Sequence, residues 1–352
     1  MPLTSAELIE DPIGRYPDAT VACFDPTNGE LPRRELDEKR TVAFLERLAG
    51  VGVQAALIAS STGQGHLRTV EELEAWFCYA AKADTREMLL MALLRPEDGV
   101  EANARLLDLL ADTAYPVVFL RPGTDLPADA NDELVSESLA PLIAAAAKRG
   151  LAIGLYSISD VSGLPLTPEA VARLVVSDGG DHIVAVKVTE TDYEQSTARF
   201  LAHSALSHLK IVQGWDPHLG RALHDGPRFD VEGRQRAGIT SGLMSLAVYQ
   251  YLHILNAVAQ EEWDEVAQAQ GAATILFEAM QDDPRHFADL QRAKYIMGLG
   301  HPLTATITEA QVERVFAALE QLPRASDRRR LARSLDLMQD GPYHDRLSLL
   351  SD

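Results

Sequence analysis

Cysteine is scarce in this chain of 352 residues. The two cysteines, Cys23 and Cys78, stand far apart, and neither a C-x-x-C pair nor a histidine-rich stretch occurs, so a structural zinc site is not expected. Unpaired cysteines in such small number are typical of a reducing compartment. His66, His182 and His301 are isolated from one another, so we expect structural roles for them and no bound metal.

Positive charge is also in deficit, and long apolar runs are missing. The formal net charge of −20 disfavours nucleic acid and anionic membrane surfaces as partners, although it does not exclude an anionic small substrate. No apolar run is long enough to span a bilayer, and Met1–Pro17 lacks the basic segment and apolar core of a secretory signal. We therefore expect a cytoplasmic protein that binds neither nucleic acid nor membranes.

What the sequence does contain is a regular alternation of short β-rich segments with longer amphipathic ones. Eight segments are predicted as strands: Ala19–Phe24, Val53–Ser60, Met88–Leu94, Tyr115–Leu120, Leu151–Ser157, Ile183–Val188, His208–Gln213 and Arg236–Gly242. Helical patterns separate them, as at Thr69–Lys82, where Thr69 is an N-cap residue. This alternation predicts an α/β fold, a (β/α)8 TIM barrel. An open doubly wound sheet is the main alternative, but no G-x-G-x-x-G follows the first strand.

Beyond the eighth segment the pattern is helical almost throughout. The predicted helices are Leu243–Ala259, Trp263–Met280, Phe287–Met297, Thr308–Gln321 and Asp327–Met338. We therefore predict two domains. Residues 1–242 would form the barrel with a short N-terminal lead-in, and residues 243–352 would form a C-terminal helical subdomain packed on it.

The sixth predicted strand, Ile183–Val188, carries Lys187 close to its C-terminal end among apolar residues. Such a composition is typical of a strand that is buried on both faces. Burial lowers the pKa of an amine unless a partner charge compensates, and a lysine of this kind is the usual nucleophile for a Schiff base with a ketone. The alternative is a lysine that extends into solvent or pairs with a carboxylate such as Glu190.

In a barrel of this type the site lies at the C-terminal ends of the strands. Tyr156 ends the strand before that of Lys187, so its phenol is a candidate acid/base, although a tyrosine that caps the core is the alternative. Ser60–Gly65 follows the second strand with hydroxyls and amides that suit a carboxylate or phosphate, but such clusters also form ordinary loops. Arg121 is a candidate for a bidentate contact with a second carboxylate, against a surface salt bridge as the alternative.

With these residues placed, the chain resembles the dihydrodipicolinate synthase/N-acetylneuraminate lyase family of class I aldolases from Asp18 to Gly242. Ser60-Ser-Thr-Gly-Gln64 is similar to the family's G-T-T-G-E loop, and Leu155-Tyr-Ser-Ile158 is similar to its Y-N-x-P strand end. Ile183-Val-Ala-Val-Lys187 is similar to I-x-G-I-K. The last two strands add Gly214-Trp-Asp216 and Gly238-Ile-Thr-Ser-Gly242, which resemble the family's G-x-D and G-x-I-S-G stretches.

The resemblance implies a Schiff base on Lys187, proton transfer by Tyr156, and a 2-oxo acid carboxylate held by Ser61 and Thr62. It adds substrate contacts at three residues of the later motifs, Asp216, Ile239 and Ser241. It also implies that no cofactor is needed, and its helical tail implies a homo-oligomer, either a dimer or a tetramer.

The chain departs from the family at several positions. Gln64 replaces the glutamate of the loop, and Ser157 and Ser159 replace the asparagine and proline after the tyrosine. Arg121 begins an R-P-G stretch where the synthases and lyases carry P-Y-Y. The second tyrosine of the synthase proton relay is therefore missing, which disfavours synthase activity, and Arg121 favours a different substrate tail, such as an acidic one.

The sequence therefore predicts a Schiff-base lyase, either an aldolase or a hydro-lyase, acting on pyruvate or a longer 2-oxo acid. A near alternative is a 2-keto-3-deoxy sugar-acid dehydratase. A more distant alternative is a catalytically inactive protein that serves as a 2-oxo-acid sensor or assembly partner.

Overall fold

The structure is a computed structural model that describes residues 3–28, 35–113, 115–230, 233–281 and 290–351. The eight strands, β1 to β8, are Ala19–Ala22, Ala55–Ile58, Leu89–Leu94, Val117–Leu120, Ala152–Ser157, Ile183–Val188, Lys210–Gln213 and Ala237–Ser241. They pair in sequence order into a closed barrel. The (β/α)8 barrel predicted from the sequence is confirmed, and all eight predicted strands are present.

Helices follow or precede the strands as the barrel requires. In chain order, α1 to α16 are Ser5–Glu10, Pro12–Arg15, Glu38–Gly50, Val70–Ala80, Val100–Ala111, Asp132–Ala147, Ser159–Ser162, Pro168–Leu174, Thr197–Ala202, Leu219–Asp225, Val248–Ala259, Trp263–Ala279, Gln291–Ile296, Glu309–Glu320, Ala325–Leu335 and His344–Ser351. None of the helices in the described ranges is long and apolar enough to cross a membrane.

The described residues form two compact units, and the first comprises residues up to Thr20 together with Arg86–Thr240. It contains β3 to β7 and most of β8. The strands from β3 to β6 are buried along their whole length, which explains their almost uninterrupted apolar sequences. Parallel pairing sets the register, with Leu120 opposite Leu155 and Tyr156 opposite Lys187.

The two N-terminal helices of this unit were not predicted, because only a short lead-in was expected before β1. Their signals are nevertheless present in the sequence. Thr4 and Glu7 form a capping box, in which the Thr4 amide donates to Glu7 Oε2 at 2.9 Å. Asp11 caps α2, and Pro12 occupies its first position.

The second unit comprises Val21–Thr85 and Ser241–Asp352. It contains β2, α3 and α4 together with the C-terminal helices from α11 onward. Four of the predicted C-terminal helices are present with small shifts of their ends, and α16 was not predicted. The fifth, Phe287–Met297, lies partly outside the described residues, and its described part is α13. The domain boundary expected after Gly242 stays a prediction.

A buried ionic triad joins three distant parts of the second unit. Lys294 Nζ on α13 donates to Asp25 Oδ1 at 2.7 Å, and Arg68 Nη2 donates to Asp25 Oδ2. All three side chains are fully buried. Burial lowers the pKa of Lys294, and the nearby carboxylate of Asp25 opposes this shift. Asp25 is therefore the counter-charge for two buried cations.

We expect Asp25→Asn to lower the free energy of unfolding by about 3–5 kcal/mol, because it leaves buried positive charge without a counter-charge. The loss should diminish as the pH rises, since Lys294 can then release its proton. Urea unfolding at several pH values measures both effects. The matched control is Asp340→Asn, which removes an exposed partner of Arg40 and should cost no more than about 1 kcal/mol. Equal losses in the two variants would contradict the importance of the triad.

Candidate functional site

Lys187 lies on the inner face of the barrel at the C-terminal end of β6, with 1% of its surface exposed. Its Nζ is buried and has no hydrogen-bond partner among the residues that the structure describes. Burial lowers the pKa of this amine to about 7, and the negative charge of Asp216 opposes the shift. At neutral pH a substantial fraction of Lys187 is therefore the neutral, nucleophilic amine.

Tyr156 lies next to Lys187 on the neighbouring strand β5, as predicted, and is fully buried. The Lys187 Nζ lies 4.1 Å from the centroid of the tyrosine ring. The ring face attracts a protonated amine, so it holds the side chain of Lys187 against β5. The contact places the phenol of Tyr156 beside the amine, where it is a candidate to exchange protons with a group bound to Lys187.

Gly214 provides the space for the lysine side chain. A Cβ atom at this position would lie 2.9 Å from Lys187 Cε and 2.1 Å from Thr189 Oγ1. It would also lie 3.1 Å from the carbonyl oxygen of Thr240. A larger residue at 214 would therefore force the side chains of Thr189 and Lys187 to shift, so the close approach requires glycine.

Two further buried hydroxyls at the ends of β6 and β8 were missed by the sequence analysis. Thr189 Oγ1 and Thr240 Oγ1 are buried, and neither has a hydrogen-bond partner in the described part of the chain. Buried hydroxyls of native proteins are normally hydrogen-bonded, so unsatisfied ones indicate a place for a ligand or water. The signal available in the sequence was their spacing, since Thr189 follows Lys187 by two residues on the same face of the strand.

Glu190 is occupied and is not the partner of Lys187 that the alternative interpretation required. Its Oε1 accepts hydrogen bonds from Ser157 Oγ at 2.7 Å and from the Ser159 amide at 3.0 Å. Its Oε2 accepts from Ser159 Oγ at 2.5 Å. The two serines that depart from the family pattern therefore connect the loop after β5 to the loop after β6. This connection fixes the strand end that carries Tyr156.

Arg121 is buried at the C-terminal end of β4, but it is not a surface salt bridge or a free guanidinium. Its Nη1 lies 3.3 Å from Glu97 Oε2, and its Nη2 donates to Glu97 Oε1. Nη1 also donates to the carbonyl oxygen of Pro122 at 2.8 Å. Arg121 was expected to make a bidentate contact with a substrate carboxylate, but it already makes one with Glu97 of the protein itself.

The other substrate-binding candidates of the first unit are Asp216 and Ile239. Asp216 is fully buried after β7, where its charge acts on Lys187. Ile239 is buried on β8 between Gly238 and Thr240. Gly238 pairs with Val212, which pairs with Lys187, so the side chain of Ile239 points away from the inner face. A contact from Ile239 to a ligand inside the barrel would therefore use its backbone.

The second unit holds the loop that was predicted to bind a carboxylate. The hydroxyls of Ser60, Ser61 and Thr62 are buried without a hydrogen-bond partner among the described residues. Gln64 has a left-handed backbone, with φ at 53°, and its Oε1 accepts from the Leu303 amide at 2.7 Å. Gln64 therefore ties the loop to the segment around Leu303.

Glycines and a glutamine hold this loop in its tight conformation. A Cβ at Gly63 would lie 2.3 Å from the Trp76 ring, and one at Gly65 would lie 1.9 Å from the Ala59 carbonyl oxygen. Gln291 Nε2 donates to the Thr62 carbonyl oxygen. Ser241, also in this unit, accepts from the Met244 amide at 3.3 Å and thereby caps the turn after β8.

Two of the three isolated histidines, His182 and His301, make contacts of the structural kind that was expected. His182 Nδ1 lies 2.9 Å from the Leu151 carbonyl oxygen, and the His301 ring stacks on Tyr295 at a centroid distance of 4.4 Å. Within the described ranges, no three His, Cys, Asp or Glu side chains converge to form a metal site.

Comparison with known proteins identifies the architecture. No protein-family model and no curated protein sequence matches the chain. Solved structures do match, at low identity. A dihydrodipicolinate synthase from Bacillus anthracis is 17% identical, with 87% of this chain and 98% of that chain covered and a TM-score of 0.70. A variant of 2-keto-3-deoxygluconate aldolase from Sulfolobus solfataricus is 14% identical, with 87% and 96% covered and a TM-score of 0.69.

The chain has the fold of these two enzymes. YagE, a prophage protein of the dihydrodipicolinic acid synthase family from E. coli K12 solved in complex with pyruvate, gives the same result, at 16% identity, 88% and 99% coverage and a TM-score of 0.69. In TIM barrels ligands bind at the C-terminal ends of the strands, where Lys187, Tyr156 and Arg121 lie in this chain.

The lowered pKa of Lys187 predicts a distinct pH profile for reductive trapping of a small 2-oxo acid by this amine. Because the neutral amine is the nucleophile, we expect the trapping rate to rise with pH and to level off above a pKa of about 7, well below the usual 10.5. Asp216→Asn removes the charge that raises this pKa, so its profile should move to lower pH.

The matched control is Glu194→Gln, because Glu194 is exposed and paired with Arg221, and its removal should leave the midpoint in place. A midpoint near the ordinary lysine value, or one that Asp216→Asn does not move, would contradict the assigned electrostatics.

Proposed function

We propose that the protein is a Schiff-base-forming lyase that acts on pyruvate or a longer 2-oxo acid. The observation that carries the proposal is the amine of Lys187, which is buried without a hydrogen-bond partner in the described ranges and lies 4.1 Å from the Tyr156 ring centroid. A desolvated amine with a pKa near neutrality is the group that adds to ketones at physiological pH. The solved structures of the same fold, which include aldolases and a synthase, support this chemistry.

The reaction begins with the neutral Nζ of Lys187, which adds to the C2 carbonyl carbon of the 2-oxo acid. The proton released by the added amine passes to the carbonyl oxygen and gives a neutral carbinolamine. Its hydroxyl group takes up a second proton and leaves as water, which gives a cationic imine. This imine accepts the electron pair of the C3–C4 bond in cleavage, or of the C3–H bond before condensation or loss of a hydroxyl group. The proton transfers that each step requires are assigned to Tyr156, whose ring centroid lies 4.1 Å from the amine.

The carboxylate of the substrate is assigned to the hydroxyls and amides of Ser61 and Thr62. Both hydroxyls are buried without a partner in the described ranges, so an anionic acceptor would satisfy them. Asp216, Ile239 and Ser241 remain proposed contacts, with Ile239 acting through its backbone. Neither a cofactor nor a metal enters this scheme.

A 2-keto-3-deoxy sugar-acid dehydratase uses the same imine and differs only in the group that leaves. It stays a second candidate because the buried hydroxyls of Thr189 and Thr240 have no hydrogen-bond partner in the described ranges and suit the hydroxyl groups of a sugar acid. An inactive 2-oxo-acid sensor would need neither an unpaired nucleophilic lysine nor a tyrosine beside it, which makes it the weaker alternative. Assembly as a dimer or tetramer and a cytoplasmic location are kept as proposals.

Borohydride trapping with pyruvate tests the proposal. We expect a reduced adduct on the peptide that contains Lys187, detected by mass spectrometry, and its complete loss in Lys187→Met. The matched control is Lys210→Met, which removes a second buried strand lysine that is paired with Asp18 at 2.5 Å and should leave the adduct intact. If neither pyruvate nor any longer 2-oxo acid gives an adduct on Lys187, the proposed chemistry is wrong.

Tyr156→Phe separates imine formation from the later proton transfers. We expect turnover to fall by about 10²- to 10⁴-fold, the usual contribution of a general acid/base, while equilibrium trapping on Lys187 persists. Steady-state kinetics with a cleavable 2-oxo acid and trapping on the same sample give the two readouts. Full turnover in this variant would remove Tyr156 from the catalytic role.

A further inference from the structure

Two arginines occupy neighbouring positions directly after β3 and β4. Leu94 pairs with Leu120, so Arg95 follows β3 where Arg121 follows β4. The ring of Phe119 lies over Gly154, where a Cβ would lie 2.4 Å from it, so Phe119 lies on the same face of the sheet as Gly154. Because side chains alternate along a strand, Arg121 shares this face.

This face also carries the proposed catalytic residues. Leu120 pairs with Leu155, which places Arg121 beside Tyr156, and Tyr156 pairs with Lys187. Arg121 is thus two strands from the reactive amine at the same level of the barrel. Neighbouring strands lie about 4.8 Å apart, so a substrate held as an imine on Lys187 has to extend beyond C3 to reach Arg121.

Each guanidinium has its own carboxylate from the short turn Pro96–Asp98. Arg95 contacts Asp98 through Nε at 2.8 Å and Nη2 at 2.6 Å. Arg121 contacts Glu97 through both of its terminal nitrogens. Arg121 has 1% of its side chain exposed and Glu97 has 23%, so the pair is largely removed from water and its net charge is zero.

Arg121 keeps two N–H groups beside those that contact Glu97 and Pro122, one on Nε and one on Nη2. The Nε atom is buried and has no hydrogen-bond partner within the described ranges. Because Glu97 already balances the charge of Arg121, these groups offer hydrogen bonds without a net positive charge, which suits an uncharged oxygen. A second substrate carboxylate beside Arg121 would be repelled by the carboxylate of Glu97, whereas a hydroxyl would not.

We infer that Glu97 is a specificity-determining residue that neutralises Arg121 and thereby excludes 2-oxo acids with a second carboxylate. Arg121 then donates Nε–H to an uncharged oxygen of the substrate tail, such as a hydroxyl. This inference rests on the proposed imine at Lys187. It replaces the acidic tail that the sequence favoured for Arg121, because the counter-charge is supplied by the protein.

The test uses two 2-oxo acids of equal length that form an imine but lack the 4-hydroxyl group needed for cleavage. They are 2-oxoglutarate, with a terminal carboxylate, and 5-hydroxy-2-oxopentanoate, with a terminal hydroxyl. The half-saturating concentration of each for borohydride trapping on Lys187 is measured in the full-length protein. We expect the wild type to favour the hydroxy acid by at least about tenfold, and Glu97→Gln to shift this ratio towards 2-oxoglutarate by at least about tenfold.

The control is Asp108→Asn, which removes one negative charge from an exposed pair with Arg149 in the same unit and should leave the ratio within about twofold, because exposed charges are well screened. An unchanged ratio in Glu97→Gln, or an equal shift in Asp108→Asn, would overturn the assignment of selectivity to Glu97.

Pyruvate, which has no tail, distinguishes a failure of the role of Glu97 from a failure of the proposed imine chemistry. If pyruvate labels Lys187 in wild type and Glu97→Gln but the ratio does not shift, only the role of Glu97 fails. If pyruvate and the longer acids leave Lys187 unlabelled in the wild type, the proposed function itself fails.

Arg121→Met gives a second readout if Glu97→Gln does not fold. This variant is expected to fold because Glu97, which is partly exposed, can turn towards solvent when its partner is removed. Relative to pyruvate, it should weaken trapping of the hydroxy acid by about tenfold, through loss of one charge-assisted hydrogen bond. Equal trapping of the hydroxy acid by Arg121→Met and wild type would contradict the Nε contact.

Discussion

The exclusion of water from the amine of Lys187 is the constraint on which the proposed chemistry depends. The closed barrel buries β6 on both faces, and Gly214 leaves room for the side chain without providing a hydrogen bond. Asp216 alone opposes the resulting pKa shift, and it does so only in part. Burial thus supplies the neutral amine, while the carboxylate of Asp216 limits how far the proton affinity falls.

At two other places in the protein, buried charged groups have partners of opposite charge. Asp25 balances Arg68 and Lys294, and Glu97 balances Arg121, so their buried charges have partners within hydrogen-bonding distance. Buried ion pairs stabilise little on balance, but the removal of one partner is costly. Lys187 differs from these groups because its amine is buried without such a contact among the described residues, and perturbed groups of this kind cluster at functional sites.

Much of the fold followed from the sequence because a strand buried on both faces needs a continuous apolar run, as in β3 and β6. Lys187 and Tyr156 were found for the same reason, since polar residues at the ends of such runs are conspicuous. The pairing of Arg121 with Glu97 was not predictable, because it depends on which way a turn directs its side chains. The link from Glu190 to Ser157 depends likewise on the register of two strands that are 33 residues apart.

The unpaired amine also couples folding to proton release. The pKa of Lys187 is about 7 in the folded protein and near its ordinary value of 10.5 once the chain unfolds. Between these values the unfolded chain binds more protons, so stability rises with pH, and below about pH 7 the full penalty for burying the ammonium applies. Burial of this amine therefore lowers the free energy of unfolding. Acidification towards pH 7 increases that loss, through the residue on which the proposed catalysis depends.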